Sequence, residues 1–147
     1  MRRMLLGALV VSVTACSSVA PVKVESGEVC FRCRRVIADS RMAAESIDHS
    51  LVSKFKTSYC LAKYLGQHPD DKSVLFVTDY TTGKLISADR ARFVPIVNRD
   101  NGEREYIAYT DRAIADAEAF AKGTRAVGWA DVLSDGREWV RKTSTGD

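Results

Sequence analysis

AESIDHSLVSKFKTSYCLAKYLGQHPDDKSVLFV, residues 44–77, reads as a hairpin, a helix and a strand in that order. Residues 44–47 and 51–55 flank Asp48-His49-Ser50, a polar connection of the length that hairpins use. Thr57 or Ser58 then offers a hydroxyl to cap a helix over 59–65, in which Leu61, Tyr64 and Leu65 fall on one side. Gly66 and Pro69 predict the end of that helix, and the apolar run 74–77 reads as a short strand.

The same order returns downstream. After a turn at Tyr80-Thr81-Thr82-Gly83, residues 84–86 and 92–97 read as strands. Pro95 cannot donate to a ladder, so it predicts an edge position. Residues 98–102 form a polar turn, and residues 105–109 alternate as a strand. Asp111 caps a helix over 112–122, with Ile114, Ala117 and Phe120 along one apolar stripe and Gly123 as its stop. Residues 126–133 read as a closing strand, and the chain from Arg137 on as a loose polar tail. Upstream, residues 28–31 and 33–37 predict two strand segments around a turn. The expectation is an α+β fold of two similar ββαβ units in tandem, about 28–83 and 84–136, with Asp79 and Asp131 at matching places.

The N-terminus has a different character. Arg2 and Arg3 precede an apolar run over 4–13, and Val13-Thr14-Ala15-Cys16 places small residues just before a cysteine. That run is too short to span about 30 Å of hydrocarbon as a helix. Residues 1–15 therefore read as a lipoprotein signal peptide, cleaved before Cys16, which carries the lipid. Ser17 rather than Asp follows Cys16, which favours the periplasmic face of the outer membrane. Residues 16–27, with Pro21 and no helical or strand period, read as a flexible tether.

Charge excludes several partners. Of the 22 Lys and Arg, two lie in the leader, and the rest nearly balance 19 Asp and Glu. Nothing in that balance calls for nucleic acid or an anionic surface. The sequence also lacks a Walker loop, a dinucleotide-type glycine turn and HExxH.

Four cysteines occur, and lipid on Cys16 leaves Cys30, Cys33 and Cys60. An odd set in an oxidising compartment does not close as disulfides alone. In Cys30-Phe31-Arg32-Cys33 the spacing turns both sulfurs toward one point, which suits a soft metal or a disulfide. Arg32, Arg34 and Arg35 lie beside them and favour thiolate, the form that binds metal and attacks disulfides. Zinc would want a second ligand pair at the usual spacing, and none is present. A thioredoxin-like site would open an amphipathic helix, which residues 36–40 do not make. Further candidate ligands are Cys60, Met42 and His49. Each has a plainer alternative: a small core hydrophobe for Cys60, a loop residue for Met42 and a solvated turn for His49. His68 reads as a helix-end residue.

From Cys16 to about Val132 the chain resembles the NosL family of lipid-anchored copper-binding accessory proteins of nitrous oxide reductase assembly. The resemblance runs through the lipobox, Cys30-Phe31-Arg32-Cys33, and Phe55 with Cys60-Leu61 and Tyr64-Leu65. It continues through Val77-Thr78-Asp79-Tyr80, Thr82-Gly83, Ile86-Ser87-Ala88, Ala91, Phe93-Val94 and residues 116–121. It implies two ββαβ halves and a non-catalytic protein that carries Cu(I) in the periplasm towards a copper enzyme. The departures are specific. Arg34-Arg35 stands where the family usually has Gly-Met, Ser87 where Asp is common, and a methionine of the second half is absent. The expected role is a Cu(I) carrier with Cys30, Cys33, Met42 and Cys60 as metal ligands. The alternatives are a thiol–disulfide redox lipoprotein and a binding module with structural cysteines.

Overall fold

Two helices and two small sheets enclose the sulfur-bearing region, and a third helix covers the far hairpin. The computed structural model describes residues 19–145; the leader and Cys16 lie outside them. β1 (Ala44–Asp48) and β2 (Leu51–Phe55) form the expected hairpin, α1 (Ser58–Gln67) follows, and β3 (Val74–Thr78) returns antiparallel to β1. β4 (Leu85–Ser87) adds to β3, giving the order β2-β1-β3-β4. β5 (Arg92–Val97) and β6 (Arg104–Tyr109) make a second hairpin, followed by α2 (Arg112–Ala121) and α3 (Trp129–Ser144). The architecture is α+β.

The closing strand expected over 126–133 is reduced to one bridge. Phe93 and Val127 exchange backbone hydrogen bonds of 2.9 and 2.8 Å, which puts Val127 beside β5 as β3 lies beside β1. The next such pair on that edge would need the amide of Pro95, which has none, so pairing stops. The edge reading of Pro95 holds in this sense. Gly128 then opens α3, its N–H donating to Asp131 Oδ2 at 3.1 Å. Asp131 is thus a capping residue, not the counterpart of Asp79. Residues 137–144, expected to be loose, form the second half of α3. Val132, Gly136 and Val140 recur at helical spacing, and packing on α1 supplies what local propensity lacks.

That packing also corrects Gly66. It lies inside α1, which runs on to Gln67 with His68 as its C-cap. A Cβ on Gly66 would meet Val140 Cγ2 at 3.0 Å, and one on Gly136 would meet the Ala62 carbonyl carbon at 2.5 Å. The two glycines let the helix backbones approach closely.

On α2 the expected stripe of Ile114, Ala117 and Phe120 faces outward. Ala115 and Ala119 are buried instead, and Phe120 is 86% exposed. Val94, Ile107 and Tyr109 already fill the hairpin face, leaving room only for alanines. Of the tether, residues 22–27 are held rather than free. Val24 is buried in the core, Val22 N–H donates to Glu45 Oε1 at 2.8 Å, and Gly27 N–H donates to the Ile37 carbonyl. The strand segments expected over 28–37 shrink to a single Val29–Val36 bridge. The main core joins Ile37, Phe55, Leu61, Val77, Phe93 and Val132.

Candidate metal centre

The bridge between Val29 and Val36 closes a tight loop that carries both early cysteines. Inside it Cys30 N–H donates to the Arg35 carbonyl at 2.9 Å, and Arg34 N–H donates to the Cys30 carbonyl at 3.0 Å. Arg34 sits at φ 58°, the left-handed region that favours glycine. Phe31 N–H donates to the Lys54 carbonyl at 2.7 Å, tying the loop to β2. The third cysteine comes from α1. Thr57 caps that helix by accepting from Cys60 N–H at 3.1 Å, which fixes Cys60 in the first turn.

These two pieces bring Cys30, Cys33 and Cys60 together, with their sulfurs all within 4.8 Å of one another. Cys30 and Cys60 Sγ are 3.4 Å apart, a hydrogen-bond distance and far beyond the roughly 2.05 Å of a disulfide. All three thiols are free. Cys30 and Cys60 are buried, while Cys33 is half-exposed. The Cys60 thiol, donating to Cys30, holds the Cys30 pKa well below the ordinary thiol range; burial opposes this and the backbone of Cys33 and Lys56 supports it. Cys60 is pushed the other way, because its hydrogen bond to Cys30 holds the proton on Cys60, and burial adds to the effect. The two acidities are thus moved in opposite directions by one hydrogen bond.

Cys33 and Cys60 open onto a pocket of about 230 Å³, whose walls include Arg32, Arg35, Lys56 and Lys63. Arg32 Nε donates to Gln67 Oε1 at 3.2 Å, and its guanidinium lies 4.5 Å from the centre of the Trp139 ring. Lys63 is buried, with Nζ 4.4 Å from the Tyr59 ring, 4.6 Å from the Trp139 ring and 3.6 Å from Glu103. Glu105 also lines the pocket. Burial raises its pKa, while a hydrogen bond with Thr57 and the charges of Lys56 and Lys63 oppose the rise.

Two other candidate ligands lie elsewhere. Met42 packs against the cluster of Val94, Ile107 and Tyr109 beside α2, so it completes a core and not the sulfur group. His49 is at the β1–β2 turn, its side chain 93% exposed and bonded to Asp48. His68 Nδ1–H donates to the Tyr64 carbonyl at 2.8 Å, and its ring stacks on Tyr64. The reading of the sequence missed Lys63, Glu105 and Trp139. Trp139 lies seven residues after Val132, a helical interval that could have marked it. No signal separates Lys63 from the other lysines. Compared with known proteins, the chain matches no family model, no curated protein and no solved structure.

Proposed function

We propose that this chain is a lipid-anchored periplasmic carrier of Cu(I). It would hold the ion with Cys30, Cys33 and Cys60 and deliver it to a copper enzyme, for which the resemblance suggests nitrous oxide reductase. The observation that carries the reading is the convergence of three free sulfurs within 4.8 Å. With metal–sulfur bonds of about 2.3 Å, three thiolates around one ion lie about 4 Å apart, so only small shifts are needed to close on it. Sulfur without nitrogen or oxygen suits a soft monovalent ion, and three ligands satisfy it. Zinc would seek a fourth. The site is reached on the Cys33 side, which leaves a sulfur accessible for hand-over.

The test is an anaerobic Cu(I) titration of the reduced chain against a strong competing chelator. One Cu(I) per chain is expected, lost when Cys30→Ser and Cys33→Ser are combined and weakened by Cys60→Ser. Copper uptake unchanged in the double variant, or Zn(II) held more tightly than Cu(I), would sink the reading. The 3.4 Å separation of Cys30 and Cys60 favours a second reading, in which the thiols reduce a partner's disulfide. That reading requires the oxidised chain to be re-reduced and to turn over, which a carrier need not do.

A further inference from the structure

The wall of the sulfur pocket carries more cations than carboxylates in the metal-free protein. Arg32, Arg35, Lys56 and Lys63 face it against Glu103 and Glu105. Lys63 is matched by Glu103, and Glu105 faces Lys56 and Lys63. Among the described residues Arg35 is in no ion pair, Lys56 acts on Glu105 without a close ion pair, and Arg32 bonds to the Gln67 side chain, lies over Trp139 and faces Cys60. Four cations against two carboxylates therefore line a cavity of about 230 Å³ that contains the half-exposed Cys33. That volume takes a molecule of amino-acid to dipeptide size. A positive pocket with a thiol inside selects ligands that carry both negative charge and sulfur.

We propose that this pocket binds small anionic thiols and their disulfides, compounds bearing carboxylates, and presents their sulfur to Cys33. With a disulfide, the Cys33 thiolate attacks one sulfur of the ligand. A new S–S bond forms to Cys33, the ligand's own S–S bond breaks, and the departing half leaves as a thiolate with the bonding electron pair. Cys33 is oxidised and the ligand reduced, with no further reactant. With a thiol, the same seat places a ligand sulfur beside the three protein sulfurs, where an ion can be passed. The inference does not rest on copper, and its test uses the metal-free protein.

The experiment compares the initial rates at which the full, reduced chain reacts with two disulfides. One is the dianionic 5,5′-dithiobis(2-nitrobenzoate), the other the neutral 2,2′-dithiodipyridine, with mass spectrometry assigning the adduct to Cys33. The ratio of the two rates cancels the thiolate fraction of Cys33. Divided by the same ratio for 2-mercaptoethanol, it is expected to be about tenfold at low salt and to collapse at high salt. The double substitution Arg35→Ala and Lys56→Ala should bring it to within about twofold of the free thiol. A ratio equal to that of 2-mercaptoethanol in the unsubstituted chain would overturn the proposal, as would a preference that survives either the salt or the double substitution. The salt series needs no variant, so a misfolded variant does not decide the outcome. Loss of copper binding with this preference intact would sink the carrier reading alone.

Discussion

The hydrogen bond between Cys30 and Cys60 moves their acidities in opposite directions, and this gives the fold a pH signature. Cys30 is held below the ordinary thiol range, so between its own value and that range the folded chain carries fewer protons than the unfolded one. Its contribution to stability therefore rises with pH across that window and is lost as pH falls through the depressed value. Cys60, raised above the ordinary range, works in the opposite sense only at higher pH, where the unfolded thiol ionises first. Near neutrality the Cys30 effect governs. Urea unfolding of the reduced, metal-free chain should show the midpoint climbing from about pH 6 to about pH 8 more steeply than in Cys30→Ser. Parallel curves for the two proteins would contradict the lowered Cys30 value. Arg34 is a related case. A non-glycine residue in the left-handed region costs about 1 kcal/mol or more, and Arg34 occupies it at φ 58°.

The elements that could be read from the sequence were those with a local stop or start. Thr57 and Asp111 each cap a helix where their hydroxyl or carboxylate predicted one, and polar turns marked both hairpins. What failed was set by distant partners. The α3 segment looked like a strand and a tail because Ala126, Val127 and Leu133 surround Gly128, and because Gly136 weakens any helical reading of the rest. Only the approach of α1 explains Gly136, and it makes a sharp prediction. Gly136→Ala would gain about 1 kcal/mol of helix propensity, yet its Cβ would meet Ala62 backbone at 2.5 Å. We expect a net loss of about 2 kcal/mol. Gly66→Ala meets the Val140 side chain at 3.0 Å and the α3 backbone at Gly136 and Arg137 at 3.1 and 3.2 Å. It should cost less than Gly136→Ala, because these contacts are longer and propensity offsets part of the tighter fit. Urea midpoints measure both, and equal effects at the two positions would show that the helices are not in such close contact. The candidate site was legible in part for the same reason. The spacing of Cys30 and Cys33 is local, whereas membership of Cys60 and exclusion of Met42 depend on which core each side chain enters.

Across the whole molecule, two ββα units share a pattern in which the third strand joins the first, in full at β3 and as the single Val127 bridge at β5. Sequence order revealed that repeat, while the missing amide of Pro95 and the start of α3 concealed its shortened end. No helix among the described residues is long and apolar enough to cross a membrane. The attachment we propose is lipid on Cys16. Mass spectrometry of the chain recovered from bacterial membranes should give residues 16–147 plus the mass of a diacylglyceryl group and an acyl chain. A free Cys16, or retention of residues 1–15, would contradict lipidation. Trp139, close to the far end of the chain, walls the pocket over sulfurs that lie near its beginning. Whenever the polypeptide emerges amino end first, whether during synthesis or secretion, its reactive thiols reach the surroundings long before their shelter exists. Until the last helix has docked they are open to oxidants and stray ions, so a helper that shields nascent thiols would matter most in that interval.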